Sequence, residues 1–520
     1  MLILKVLGQN TNFVKNPVSQ PFTEQLVSDF NMTPLNYSYY FIKDYTASSL
    51  YINTESGDLK QAQEPEISTE FGLKTQGLYR NNKNILFFGG IDISKSYYKN
   101  LKWNLSFMLP KHGIMEDPHY FAVSKAANWN NQEYNIDGGF IIPIKNRFKV
   151  LFKTKYNLAN KYRTDYDPRT EVTYNELNFT LGSNFKINDK YHVKVSAMYG
   201  YYNVDNKNIF SNINKNRPVN YDIYVKWFLG YGTLSSPFST NIPSTKRITN
   251  KYSIELGYTY THNKVTIMAD FNLLYKNQLT YKTSGVIDKK DSNEYHADFK
   301  PTTINTKILS LYNIAPNKTL KLKLQGNFEN GSNFWYSKGG KTYSRTQNNY
   351  LASVSYLNTK TNQDFWDLGI DFNYWDLDQK DALSTTKSSY SNFQVEQYIL
   401  RLFPVSNKVS LAPYLKYNLR LNVDSNFYQG NIEALNNIAE YDFAAYTLRD
   451  FYNEVIYPDF ELFTKNQLSL CLGNTLHFKQ KNNVQLSLKL EGGYAIPLQN
   501  MLNFNKSKQY YGHASLIVSY

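Results

Sequence analysis

No run of eighteen or more apolar residues occurs anywhere in the 520-residue chain, which excludes a transmembrane helix. Cysteine is nearly missing. Cys471 stands alone, so neither a disulfide framework nor a cysteine-ligated metal site can be built. Acidic residues are outnumbered, with 43 Asp and Glu against 57 Lys and Arg, a net charge of +14 and a pI near 9.2. The lysines are scattered and form no basic block, so nucleic acid is not an expected partner. Nor does the chain carry a phosphate loop, a zinc signature or a nucleophile elbow. Mean hydropathy is low, at -0.53. That does not exclude a membrane protein, because a barrel strand shows lipid only every second residue.

Aromatics are what the chain has in excess: 46 Tyr and 32 Phe. Amphipathic rings gather at membrane interfaces, and this content also excludes a disordered chain. The last stretch, from Gln509 to Tyr520, alternates with a period of two. Tyr510, Gly512, Ala514, Leu516, Val518 and Tyr520 share one face, while Tyr511, His513, Ser515, Ile517 and Ser519 fall on the other, which is largely polar. Alternation of this kind places side chains on opposite faces of a strand. A terminal strand ending on an aromatic is similar to the closing strand of an outer-membrane barrel, where it is read by the insertion machinery. Leu516, Val518 and Tyr520 are the expected insertion signal.

The same alternation recurs along the chain. Leu320, Leu322 and Leu324 oppose Lys321, Lys323 and Gln325, and Val484, Leu486, Leu488 and Leu490 oppose Gln485, Ser487, Lys489 and Glu491. A helix does not tolerate this period. The connections between segments alternate between short polar turns and longer irregular loops, the asymmetry of outer-membrane barrels. Eight short turns and nine longer loops, with both termini on the turn side, predict an all-β antiparallel transmembrane barrel. It should have about eighteen strands, sixteen to twenty at the limits. Tyr221–Leu229 also alternates, but it is flanked by long connections on both sides and is expected in an extended outer loop. Residues 1–36 form a lead-in ahead of the barrel domain, 37–520. Leu2-Ile3-Leu4-Lys5-Val6-Leu7 matches the tail of a secretory signal, and the remainder suits a small hatch in the lumen. An independently folded plug domain would need more chain than this.

Three stretches carry a resemblance. These are Gly57-Asp58-Leu59-Lys60 ahead of Glu70-Phe71-Gly72-Leu73-Lys74, Glu133-Tyr134-Asn135-Ile136-Asp137-Gly138-Gly139-Phe140, and Tyr162 to Arg169 ahead of Leu177 to Gly182. With them the chain resembles an uncharacterised, domain-of-unknown-function family of outer-membrane β-barrel proteins from Gram-negative bacteria. The resemblance implies a barrel in the bacterial outer membrane and no activity.

Polar faces define the expected lumen. Arg147, Lys149, Lys153, Lys155, Lys194, Lys321, Lys323, Lys416, Arg420 and Lys489 should point inward, with fewer acidic counterparts: Asp92, Glu255, Asp270, Asp367, Asp371 and Glu491. Rings of charge set pore selectivity, so an open lumen should favour anions; a filled interior would pair these groups with one another and with inserted loops. The loop from Asp424 to Phe463 is apolar enough to fold inward. Asp165, Asp167 and Arg169 form an expected loop clasp in which Arg169 forks onto an aspartate. His112, Glu116, Asp117 and His119 are expected in an exposed polar loop rather than around a metal. No catalytic group, metal or cofactor is expected. The leading expectation is movement of small, anion-biased solutes, alone or with a partner transporter or lipoprotein. The alternative is a closed accessory subunit of an outer-membrane complex, with a hydrolase as the remote third. Expected contacts are membrane lipid, lipopolysaccharide and the barrel-insertion machinery.

Overall fold

A computed structural model of the protein describes residues 44–145, 147–212, 222–234, 243–284, 294–361, 364–430, 448–479, 484–504 and 507–519. The wall begins with β1 (Tyr45–Gly57), β2 (Ile67–Arg80) and β3 (Leu86–Leu101). A short inner strand, β4 (His119–Ala122), precedes β5 (Ala127–Lys145), β6 (Phe148–Arg163), β7 (Arg169–Lys186) and β8 (Tyr191–Ile209). A second inner strand, β9 (Lys226–Leu229), leads to β10 (Pro243–His262), β11 (Val265–Ser284), β12 (Glu294–Phe299) and β13 (Thr302–Ala315). Then come β14 (Lys318–Trp335), β15 (Tyr343–Thr361), β16 (Asp364–Asp381), β17 (Thr386–Pro404) and β18 (Val409–Gln429). Helix α1 (Tyr457–Thr464), entered through a wide helical turn at Tyr452–Ile456, precedes β19 (Gln467–Lys479), β20 (Gln485–Pro497) and β21 (Gln509–Ser519).

Every wall strand pairs antiparallel with its neighbours. β12 and β13 are two halves of one staggered position, since each lies between β11 and β14 with Lys300 and Pro301 at the break. The nineteen strands of the sheet therefore fill eighteen places. β1 and β21 close the ring through an unbroken register from Ala47↔Ser519 to Gly57↔Gln509. Closure leaves no backbone edge, the condition for a sheet to sit in hydrocarbon.

Alternation along each strand sorts its side chains. Leu50, Phe71, Ile91, Leu181, Ile254, Leu322, Leu368, Leu472 and Leu490 face outward and exposed. Exposed rings flank this band toward the turns at Tyr79, Phe87, Tyr258, Tyr312 and Trp366, and toward the loops at Tyr97, Tyr162, Tyr201 and Tyr350. An apolar belt between aromatic girdles is the surface a bilayer requires. The barrel is taller than that belt. β10 and β11 run for 20 residues each and β18 for 21, whereas about ten suffice to cross a membrane. On β8, β10 and β11 the outward face turns polar above the belt: Asn250 accepts from Tyr199 Oη at 2.9 Å, and Asn203 donates to Asp205 at 2.9 Å. This part of the wall stands clear of the lipid on the loop side.

Three sequence expectations need correction here. Glu294–Ile314, whose alternation reads as a single strand, is two, β12 and β13. Tyr221–Leu229 does stay out of the wall, but its strand, β9, turns inward and pairs with β4. The connections β6–β7 and β16–β17, from Arg163 to Arg169 and from Asp381 to Thr386, are short, so the loop side is not uniformly long. The expected lead-in and hatch, residues 1–36, lie outside the described residues.

Candidate functional site: the inward-folded loops

The lumen changes character along its length. At the loop-side ends of the strands, inward positions are large and apolar: Trp129, Val172, Tyr174, Val204, Trp335, Trp375, Leu377 and Tyr390 are all buried. Further toward the turns the same strands carry Glu133 and Asp137, Glu176 and Asn178, and Asp367 and Asp371. Apolar inward residues have no use in a water-filled pore. They mark where something packs.

What packs there is loop. Residues 101–127 and 222–234 enter the barrel and join through β4 and β9, with His119 opposite Leu229 and Ala122 opposite Lys226. Trp103, Leu105, Phe121, Phe228 and Leu229 are buried to 1% exposure or less. Phe451, ahead of α1, stacks on Phe228 at 4.1 Å and meets Trp103 edge-on at 5.5 Å. Helix α1 seats Phe463 against Tyr390 and Trp375, at 5.6 and 5.7 Å between ring centres. Leu59, Met501 and Phe504, from two further loops, complete this cluster. The turn at Gly113 needs glycine: φ is +79°, and a Cβ there would lie 2.0 Å from the Tyr390 hydroxyl. That hydroxyl donates to the His112 carbonyl at 2.7 Å.

Irregular backbone inside a barrel must find hydrogen-bond partners, and the wall supplies them on one side. Arg345 Nη1 donates to the Met115 carbonyl at 2.6 Å, while its Nε and Nη2 grip Glu329 at 2.9 and 2.7 Å. Lys276 pairs with Glu116 at 2.9 Å. Arg247 pairs with Asp117 and donates to the His119 carbonyl at 3.2 Å. Gln278 donates to Asp117 at 2.8 Å, His119 Nδ1 and the Thr280 hydroxyl are 2.9 Å apart, and Asn206 donates to the Leu105 carbonyl at 2.6 Å. Strands β8, β10, β11 and β15 thus latch the segment from Leu105 to His119. A narrow recess of about 20 Å³ remains between latch and wall, lined by Phe107, Tyr174, Tyr202, Phe299, Glu116 and Lys276.

Burial sets the charge state of several groups in the loops. Asp459 of α1 accepts from the Ala62 amide at 2.7 Å, and burial pushes its carboxyl up to about 8. Glu64, in the same first loop, is raised by burial to about 7. Burial lowers His119 to about 3, so it is neutral, and Lys226, held 5.2 Å over the Trp103 ring, to about 8.

The residues singled out in the sequence divide between lumen and plug. Lys153 approaches Asp137 at 3.8 Å, Lys194 bridges Glu255 and Asp270 at 2.8 and 2.5 Å, Lys416 meets Glu396 at 2.6 Å, and Lys489 meets Glu491 at 2.9 Å. Lys149 and Lys323 are half-buried, Lys321 is buried and Lys155 is exposed within the lumen. Asp367 accepts from Tyr398 at 3.4 Å, and Asp371 is half-buried. Arg420 reaches the end of α1 instead, donating to the Leu462 carbonyl at 2.5 Å.

Inward acids are more numerous than the sequence reading counted. Glu133 pairs with Lys161 at 3.0 Å, Glu176 with Lys251, and Glu329 with Arg345. These acids alternate with apolar neighbours just as the lysines do, so strand parity alone would have found them. The inward Trp129, Tyr174 and Trp375 were legible in the same way.

Two further expectations are corrected. Arg169 does not fork onto an aspartate: it is exposed and lies 3.9 Å from Asp167. Asp167 instead accepts from Ser211, Asp165 from Asn128, and the guanidinium holding the turn is Arg163, which donates to the carbonyls of Tyr166, Pro168 and Lys125 at 2.7 Å each. His112, Glu116, Asp117 and His119 do not stand together on an outer loop: the segment folds into the lumen, where His112 and Glu116 stay exposed, Asp117 is half-buried and His119 is buried. No group of three or more metal-ligating side chains forms among the described residues. Leu516 and Val518 face outward on β21, and Tyr520 lies outside the described residues.

A family of unknown function (DUF6850) matches residues 34–520. The chain belongs to that family. No curated protein matches. Solved structures similar to it include the siderophore receptor PiuA from Acinetobacter baumannii, at 8% identity and a TM-score of 0.37, covering 92% of this chain and 82% of that one. The ferric yersiniabactin uptake receptor FyuA from Yersinia pestis is 7% identical with a TM-score of 0.36, covering 91% and 80%. The copper transporter OprC is 6% identical with a TM-score of 0.35, covering 91% and 80%. By its closed wall, apolar belt and aromatic girdles, this member of the family is an integral outer-membrane β-barrel.

Proposed function

We propose that the barrel is a gated transport protein for small charged solutes, whose inward-folded loops close the outer mouth at rest. The observation that carries this is the division of labour inside the lumen. A dry plug is held to the wall by polar contacts that can be exchanged for water, above an interior that carries charge. A bias toward anions follows from Lys74 and Lys155, which are exposed inside the wall and pair with no carboxylate among the described residues. Most of the other inward cations are neutralised by acids, so the bias should be modest. Lipopolysaccharide and membrane lipid cover the outer face, the insertion machinery engages β21, and a second transporter or lipoprotein is the partner that would supply the opening force.

The test is conductance in planar bilayers under a salt gradient. Rare openings whose reversal potential is displaced toward that of chloride support the reading. A displacement toward the cation would refute the bias. A second reading, a closed accessory subunit, is favoured by the dryness of the plug, since Trp103, Leu105, Ala122, Phe228 and Leu229 are all 0% exposed. Electrical silence that persists when the latch is cut, together with a partner that co-purifies, would establish it instead.

A further inference from the structure

On the outer face of β3 the apolar run Phe87, Ile91 and Ile93 gives way to Lys95, Tyr97 and Lys99. Eight residues separate Phe87 from Lys95, about 27 Å along a strand. With a tilt of about 40° that is about 20 Å across the bilayer, the upper edge of a belt about 25 Å tall. Neither lysine pairs with a carboxylate among the described residues, and Lys95 Nζ lies 5.1 Å from the centre of the Tyr97 ring. By register, Phe71 and Gln132 flank Lys95, and Leu73 and Tyr134 flank Ile93 one pair closer to the turns. A surface groove of about 460 Å³ runs through this patch, lined by Leu50, Phe71, Leu73, Ile93, Lys95 and Tyr134.

An apolar channel that ends in unpaired cations at headgroup depth has the chemistry of an anionic amphiphile. Lysine at the level of lipid phosphates gains from their field, and a side chain with no internal carboxylate has that gain undivided. We propose that this groove is a binding site for a phosphorylated lipid of the outer leaflet, an acyl chain lying along Leu50, Phe71, Leu73 and Ile93 and headgroup phosphate at Lys95 and Lys99. The two lysines are about 13 Å apart along the strand, so a headgroup with two phosphates engages both at once, and one with a single phosphate engages one at a time. The site is independent of whether the barrel conducts.

The test uses the full chain in detergent, with lipid retention read by native mass spectrometry. Diphosphoryl lipid A, phosphatidylglycerol and phosphate-free diacylglycerol are added one at a time. Lys95→Gln and Lys99→Gln should each weaken lipid A retention about fivefold and together about thirtyfold, while Lys155→Gln in the lumen leaves it unchanged. Heat-modifiable gel mobility reports that each variant is folded, and the single variants keep the test open should the double one fail to assemble. Lysine-dependent lipid A retention well above that of phosphatidylglycerol identifies a two-phosphate headgroup. Equal, lysine-dependent retention of both identifies any lipid phosphate. Retention unchanged in the lysine variants, or diacylglycerol held as tightly as lipid A, overturns the proposal.

Discussion

Replacing Arg345 with Met should loosen the plug without unmaking the wall. In the folded barrel its guanidinium makes two kinds of contact: one to the Met115 carbonyl of the plug at 2.6 Å and a pair to Glu329 on the neighbouring strand. Only the first differs between plug-in and plug-out states. The loss at Glu329 weakens both states alike and cancels from the gating equilibrium. A hydrogen bond from a charged donor contributes about 1.5–3 kcal/mol, and in the variant the Met115 carbonyl has water as its partner only when the plug is out. The out state should therefore gain about 10- to 150-fold in population. Ser106→Cys, in a Cys471→Ser background, places a thiol on the plug beside the recess. Its maleimide labelling should accelerate by that factor when Arg345→Met is added, and openings in planar bilayers should become more frequent in step. Glu329→Gln is the control, since Arg345 keeps its hold on Met115 there. If labelling and current in folded Arg345→Met match those of the parent, the latch does not hold the plug and the gating argument fails.

Three further outcomes follow from the same geometry. Because the folded chain holds the Asp459 proton more tightly than the unfolded chain does, its stabilisation is full below the ordinary carboxylate range and is lost as pH rises toward about 8. Amide exchange around residues 58–66 and 457–464 should accelerate over that window, and Asp459→Asn should flatten the response. Leu516→Arg puts a cation on the lipid face of the closing strand, at a cost of about 2–4 kcal/mol near the midplane. The yield of heat-modifiable barrel should fall, and a yield equal to the parent's would mean that this face does not meet hydrocarbon. Trp375→Ala removes the ring that Phe463 and Tyr390 pack against, a change that costs about 3–5 kcal/mol in a packed core. Protease should then cut near α1 while the barrel persists.

Much of the wall was legible because a membrane barrel must keep strand parity. The alternation at Leu320–Leu324 and Val484–Leu490, and the eight turns against nine loops, fix eighteen places and put Tyr221–Leu229 outside them. The interior was harder. Lys194 and Lys489 could be placed inward from period alone, but Glu133, Glu176 and Glu329 were passed over, although the same period applies to them. Local pattern gave no register between distant loops, so β4 meeting β9, or Met115 meeting Arg345 across 230 positions, could not be foreseen. Arg163 taking the role expected of Arg169 has the same origin. Which of two nearby guanidiniums turns inward depends on the parity at the end of β6, one residue beyond the outward Tyr162.

The overhanging rim of β8, β10 and β11 carries the hydrogen-bonded wall past the lipid on the outer side of the latch. On that side of the barrel, a solute bound for the latch passes along paired strands, which bound its approach more firmly than irregular backbone would.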